Sequence, residues 1–480
     1  MQKTPFVLNT KPLPEASSAH AGALATSRAF RALGYPELIE EHLAIKQRAR
    51  GFSEAQQIES VVLLQTIGGE CVEDIKVFRN DRLIQRGLGY QPPSPTALRE
   101  FLAAFHDAAL EAKRPSPENQ LAFIVPESDA LDALAQVQAG GVERIAELYR
   151  HNGQAQRIAT VDQDATIIES HKRTTLPHYQ GGRGYQPMVA LWAEADLVLA
   201  DEFRDGNVPA HQQPLQCCQA AFASLPETVE ERYFRGDSGC YERSMLTWLA
   251  SDERRKEPGG PIGFAISAVM SKELARAVEK VDEKQWVTIE TEADGTKRQW
   301  AEVDFVPSER SEYKHSRPLR YVDLRLLKAQ GSLFADGSDR QHFAVVTNLD
   351  WDGERLLEWH REKAGTIEHV HDELKNGLAG AHMPSGLFGA NAAWLRLTLL
   401  AYNIASAVKG LCFSPEERSA RMKRYRLLVV HIAGRMNRNN CVMTLRLCAD
   451  SETIARMEAI WKTFHLPTQA TSAVPIRAPG

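Results

Sequence analysis

Four acidic side chains, carried on three separate stretches, set the chemistry open to this chain. Glu368 lies in Trp359 to Lys375, WHREKAGTIEHVHDELK, where Ile367, Val370 and Leu374 recur at helical spacing. Lys375 follows Glu368 by seven residues and returns to nearly the same side of that helix, with His371 and Asp372 between them. A carboxylate and an ammonium held together suit a divalent cation and a phosphate; the bland alternative is a solvated, salt-bridged face. Asp162 and Asp164 alternate along RIATVDQDATII (157–168) and so share one face of a strand. Asp237 follows another strand in the turn RGDSGCYE. Several carboxylates at one point repel unless divalent cations sit between them. Oxygen ligands without a Cys or His set favour magnesium, with manganese as a substitute, over zinc. Two such ions about 3.5–4 Å apart clamp the attacking and leaving oxygens of an in-line phosphodiester displacement. Taken singly, Asp237 is also an ordinary turn-former, and either Asp162 or Asp164 an edge-strand guard. His369 and His371 point to different sides of their helix and lack a metal-type partner motif, which reads as structural or DNA-facing.

For these groups to meet, their elements must be neighbours. From residue 157 the pattern predicts a strand (157–168), a hairpin (187–194 and 197–203), a helix (211–225), a strand (229–234), a helix (243–251) and a strand (262–270). That order is the order of a ribonuclease-H-like α/β core, a mixed sheet flanked by helices, in which the first strand lies beside the fourth and a late helix packs over both. Residues 151–272 form its first part. A β-rich insertion (273–350) has strands over 286–290, 299–306, 319–326 and 342–347, and 351–410 completes the core with the Glu368 helix. The long apolar stretch after Asn376 is interrupted by Arg396, which marks a buried core helix. Before the core, 1–25 reads as disordered and 26–150 as a helical DNA-binding region. There Ser94 caps a helix with Pro95 at its first position and Leu98, Phe101, Leu102 and Phe105 on its apolar face, completing a helix-turn-helix shape. Residues 115–154, with the Ala139-Gly140-Gly141 break, read as a connection, with the main domain boundary near 150.

A chain of 480 residues has room for two to four domains. No apolar run approaches the ~18 residues of a membrane span, so no membrane partner is expected. The start, MQKTPFVLNTKPLPEASS, lacks a signal-peptide apolar core, and seven scattered cysteines without a C-x-x-C pair fit a reducing cytosol. Net charge is −5, yet Glu416 to Arg446 carries eight Arg or Lys against two Glu. Such a basic C-terminal region (411–480) either lies along phosphates or is an ordinary solvated surface.

The runs VDQDATIIES, GYQPMVALWAE, LVLADEFRDGNVPA, RGDSGCYE, REKAGTIEHVHDELKNGLAG and FGANAAWLRLTLLAYN resemble the DDE transposases of bacterial insertion sequences, specifically the thirteen-eighty family within the wider hairpin-forming, cut-and-paste group. The resemblance covers roughly residues 25 to 460. It implies Asp164, Asp237 and Glu368 as the catalytic, metal-holding triad, with Asp162 a neighbour of Asp164 or its substitute. Glu368 and Lys375 match a Glu-x6-Lys half-signature, whereas the Tyr-x2-Arg half is replaced by Arg361 and Ala364. Phosphate contacts therefore fall to Arg361, Lys363 and Lys375, joined on DNA by Arg421, Lys423, Arg424 and Arg426. The implied function is metal-dependent cleavage and strand transfer of DNA with two Mg2+ ions: water attacks first, the freed 3′-hydroxyl next, and a hairpin end forms on the excised element. The implied partners are terminal inverted repeats and target DNA, bound by a homodimer on paired ends in the bacterial cytoplasm. A catalytically inactive DNA-binding protein of the same fold is the rival, followed by a resolvase or ribonuclease, which would not need the helical region. A carbohydrate hydrolase using Asp237 and Glu368 finds little support in 8% aromatic residues.

Overall fold

The computed structural model describes residues 16–46, 50–115, 121–256, 260–307, 319–329, 331–439 and 442–465. Strand β1 (Ala16–Ser18) leads into α1 (Ala23–Ala32), α2 (Tyr35–His42) and α3 (Glu54–Ile67). Ser53 and Gln56 cap α3 reciprocally, and Gly68 ends it at φ +98°. Short helices follow: α4 (Lys76–Arg79), α5 (Arg82–Leu88), α6 (Pro95–Ala103) and α7 (Ala108–Glu111). Asp81 caps α5 and Ser94 caps α6, whose Leu98, Phe101 and Leu102 are buried.

The stretch expected to be a connection instead contains α8 (Asp129–His151), a 23-residue helix that runs straight through Gly140 and Gly141. A Cβ at Gly141 would overlap the Tyr35 ring and one at Gly140 would press on Leu38, so these glycines admit α2 rather than break the helix. Helix α8 also packs on later core elements, which leaves no open boundary near residue 150.

The core begins with β2 (Ile158–Ala165), followed by a small sheet of β3 (Ile168–Glu169), β4 (Leu176–Pro177) and β5 (Arg183–Tyr185). Next come the hairpin β6 (Met188–Trp192) and β7 (Leu197–Glu202), α9 (Leu215–Ala223), β8 (Glu231–Gly236), α10 (Arg243–Leu249) and β9 (Ile262–Ser267). The insertion supplies α11 (Lys272–Glu279), β10 (Val287–Thr291), β11 (Lys297–Val303), β12 (Arg320–Leu327) and β13 (Arg340–Thr347). Then follow α12 (Gly353–Arg361), α13 (Lys363–Asp372), α14 (Phe388–Cys412), α15 (Met422–Tyr425), β14 (Gly434–Asn439), β15 (Val442–Leu447) and α16 (Ser451–Thr463).

The main sheet has the order β10-β11-β12-β13-β9-β8-β2-β6-β7. Strand β2 runs parallel to β8 and antiparallel to β6, β8 is parallel to β9, and β6 is antiparallel to β7. This is the ribonuclease-H-like arrangement, and the insertion extends it because β13 pairs antiparallel with β9. Residues 16–25, expected without fixed structure, are tied down: β1 pairs antiparallel with β14, and Ala21, Ala23 and Ala25 are small enough to be fully buried. The rest of that expected disordered segment, 1–15, lies outside the described residues.

Helix α14 is buried over nearly its whole length and touches α3, α6, α8 and β7. No described helix is long and apolar enough to cross a membrane. The Arg396 guanidinium within α14 is held by Asp201 (2.8 Å) and Glu127 (2.7 Å), which joins α14 to β7 and to the chain just before α8. Removing one partner of such a cluster strands the other charges in the interior. Arg396→Met is therefore expected to destabilise the protein by roughly 3–5 kcal/mol in denaturant unfolding. Adding Asp201→Asn should recover part of that loss.

Candidate active site

The parallel register of β2 and β8 sets Asp162 opposite Arg235 and Gln163 opposite Gly236. One residue further, Asp164 and Asp237 emerge side by side at the C-terminal ends of two adjacent strands, where a parallel sheet opens into a crevice. Helix α13 packs across β2 through the buried Ile367 and Val370, leaving Glu368 exposed. Three elements distant in sequence thus bring their carboxylates to one place. Burial pushes the Asp164 carboxyl up to about 6; the Asp237 charge adds to this, Lys363 and the Ala165 N–H oppose it, and Glu368 raises it further. Asp237 Oδ1 accepts from Gly239 N at 2.9 Å, the turn bond that orients this side chain.

Among the described residues no three His, Cys, Asp or Glu side chains form a ready-made metal cage. As donors the triad nevertheless fits a divalent cation: its oxygens are hard and anionic, and a cation would offset both the burial that chiefly raises the Asp164 carboxyl and the repulsion from Asp237 and Glu368 that adds to it.

Asp162 does different work. Its side chain is fully buried, and Arg235 grips it with Nε on Oδ1 (2.6 Å) and Nη2 on Oδ2 (2.9 Å), while the Thr366 hydroxyl donates to Oδ2. Both oxygens are thus engaged inside the sheet. Arg235 Nη1 also donates to the Trp359 carbonyl (2.6 Å) and to Glu362 (3.0 Å), and the guanidinium lies over the Trp359 ring at 5.2 Å. These bonds hold the junction of α12 and α13. The single helix expected over 359–375 is in fact two helices meeting at Glu362, followed by a π turn over Glu373–Gly377.

A groove of about 760 Å3 opens beside the carboxylates, between the insertion strands and α12–α13; Arg361, Lys363 and Glu368 line it. Lys375, on the π turn, is half-buried, and burial lowers its pKa while the Asp164 charge opposes that. The basic residues of the C-terminal region divide. Arg421 pairs with Asp372, Arg424 lies 3.5 Å from Glu417, and Lys423 lines a polar pocket with Lys375. Arg426, expected on DNA, instead spends its guanidinium on the backbone carbonyls of Thr66, Gln65 and Gly377, because it plugs the seam between α3 and the π turn.

Two histidines and one arginine escaped the sequence reading as parts of the site. His371 is buried with Nδ1 3.9 Å from Asp164 Oδ2 and Nε2 unpartnered; burial, then Lys375 and Lys363, push its pKa down to about 3. Burial likewise lowers His360 to about 4, and its neutral ring places Nε2 3.0 Å from the Gly236 carbonyl, just before Asp237. Arg235 stands in the Arg-Gly pair ahead of Asp237, a signal visible in sequence but without a partner until the sheet forms.

The raised Asp164 carboxyl has a measurable consequence. The folded state holds this proton more tightly than the unfolded chain, so stability is greatest below about pH 4 and falls as pH rises towards 6. Above that range the cost is roughly 3 kcal/mol. Asp164→Asn should remove this slope, making the metal-free variant more stable than wild type at pH 7 but not at pH 4. Unfolding curves across that range check it.

Residues 15–465 match a family model described as "Transposase DDE domain group 1". No curated protein sequence matches the chain. Among solved structures it is similar to a piggyBac transposase, determined as a synaptic complex with hairpin DNA, at 9% identity and a TM-score of 0.43 over 87% of this chain and 83% of that one. A likeness that distant speaks to neither site nor partner. The family model, by contrast, spans the helical region, the sheet and helix that present the three carboxylates, and the C-terminal strands together, and the chain belongs to the transposase DDE domain group 1 family.

Proposed function

We propose that this chain is the transposase of a bacterial insertion sequence of the thirteen-eighty family, and that it binds the element's terminal inverted repeats, cuts them and joins the freed ends to target DNA. The observation that supports this most is the placing of Asp164 and Asp237 at the ends of two adjacent parallel strands with the Glu368 helix packed across β2, near enough that, beyond the effect of burial, both other charges raise the Asp164 carboxyl. In this reading these three residues hold two Mg2+ ions, with Mn2+ able to substitute. When bound, such ions would polarise the phosphoryl oxygens and activate the attacking oxygen. Arg361 and Lys363 stand along the groove wall beside Glu368, where they would grip phosphates on either side of the cut. Lys375 supplies a further cation close to Asp164. The neutral His371 and His360 add no positive charge to compete for the carboxylates. Arg235 and Asp162 keep the α12–α13 junction, and with it Glu368, in register with the two strand ends.

Water opens one phosphodiester, releasing a 3′-hydroxyl; that hydroxyl then attacks a second phosphodiester in line, and the bond to its leaving oxygen breaks. A hairpin end on the excised element follows from the same reading. Two ends cut together require a homodimer, acting in the cytoplasm on the nucleoid.

The test is strand cleavage of a labelled duplex carrying the repeats that flank the gene. Wild type should cut at the repeat boundary with magnesium and not with EDTA. Asp237→Asn and Glu368→Gln should each lose activity by at least about a hundredfold, the scale of several kcal/mol of lost charge stabilisation. A wild-type protein that binds the repeat without cutting in magnesium or manganese would instead be an inactive DNA-binding relative.

A further inference from the structure

The backbone groups along the outer side of an edge strand pair with another chain unless something prevents it. The described sheets end in β1 and β15, in β10 and β7, and in β3 and β4. Nearly all of these edges are closed off. Strand β1 has three residues, and β3 and β4 have two each, too short to template a partner. Strand β10 is broken by a register shift between Thr288 and Glu290. On β7 the Asn403 side chain of α14 takes up the outer groups, accepting from Val198 N and donating to Val198 O, each at 2.8 Å.

Strand β15 has none of these devices. It runs for six residues, VMTLRL, and pairs with β14 without a register shift. It holds no Pro and no Lys, and its one charge, Arg446, stands next to its last residue. Among the described residues nothing beyond β14 bonds to its backbone N–H and C=O groups. Val442 and Met443 on it are 62% and 42% exposed. Along the strand lies a groove of about 920 Å3, where Met443, Leu445 and Leu447 meet Met457 and Trp461 of α16. An open, regular, largely apolar edge of this kind is a pairing site.

The strand's own sequence fits it to a second copy. A two-fold axis perpendicular to the sheet sets β15 antiparallel to itself and keeps the groove faces of both copies on one side. Centred on Leu445, the axis puts Met443 opposite Leu447 of the partner subunit and Thr444 opposite Arg446 of the partner subunit. Centred on Thr444, it puts Met443 opposite Leu445 of the partner subunit and Val442 opposite Arg446 of the partner subunit. Either way apolar side chains face apolar ones on the groove side, and the two arginines never stand directly opposite, which would be destabilising. The two grooves then adjoin on one face of a continuous sheet. We infer that β15 pairs antiparallel with β15 of a second copy, and that this edge is the interface of a homodimer formed without DNA. It gives the homodimer proposed above its contact surface and rests on that reading only for the use made of the pair, since the edge is open whether or not the chain cuts DNA.

The experiment is light scattering and sedimentation of the full chain without DNA over a range of concentrations, on wild type, Met443→Lys, and Val287→Lys on the β10 edge. Lysine is a residue that natural edge strands carry against pairing. Wild type and Val287→Lys should dimerise alike, and Met443→Lys should dimerise about tenfold or more weakly. Hydrogen exchange on wild type supplies a second readout that needs no variant: the amides of 442–447 should exchange more slowly at high protein concentration than at low. A monomeric wild type would overturn the inference. So would a wild-type dimer whose 442–447 amides ignore concentration, or a folded Met443→Lys that dimerises as wild type does. Should Met443→Lys fail to fold, the exchange measurement decides alone. Cleavage of the flanking repeats, measured separately, keeps the two readings apart. A monomer that cuts them removes the interface and leaves the transposase, whereas a β15 dimer that neither binds nor cuts them does the reverse.

Discussion

One buried guanidinium organises the centre of this protein. Arg235 binds Asp162 on the neighbouring strand, the Trp359 carbonyl at the end of α12, Glu362 at the start of α13, and the face of Trp359. A buried ion pair contributes little net stability, because desolvation offsets the attraction, but it is unforgiving of misplacement. That intolerance makes it suited to fixing geometry. It locks β2 to β8 in one register and determines where α12 gives way to α13. The positions of Asp164, Asp237 and Glu368 follow from those two decisions.

The site itself is held against its own repulsion. Asp164 would be more stable ionised in water, yet burial and the charges of Asp237 and Glu368 keep its proton on to about pH 6. The surrounding fold carries that cost, as is common where charged groups are gathered at a functional site. Lysine ammonium groups balance the cluster only in part, and the two buried histidines nearby are kept neutral by burial.

Parts that looked separable along the chain share one interior. Helix α14 contacts the N-terminal helices, α8 and the sheet, and the hydrophobic core runs through all of them. The insertion strands lengthen the main sheet, placing their side chains along the groove that ends at Glu368. Near the two ends of the described chain, β1 and β14 form a common sheet. A movement at one region is therefore felt mechanically by the others, since these contacts are packed side chains and paired backbone rather than flexible linkers.

The amino-acid sequence by itself determined the elements of the core and the chemistry on offer. Alternation in β2, and strand-type runs bounded by turn residues in the hairpin β6–β7 and the four insertion strands, marked these elements to within a few residues, because both signals are local. Ser94 and Pro95 located α6, since capping is a local interaction. Other features were decided only in three dimensions. Gly140 and Gly141 read as a break, but with Tyr35 and Leu38 pressed against them they are the residues that let α8 continue. The same holds for Arg426, which local charge placed on DNA and which tertiary packing directs onto three backbone carbonyls. Asp162 and Asp164 are alike in spacing and type; the distinction between them belongs to Arg235, 73 residues from Asp162, whose guanidinium claims one carboxylate and leaves the other beside Asp237. Local patterns report what a residue can do, whereas which partner reaches it first depends on contacts that exist only after the chain has closed on itself.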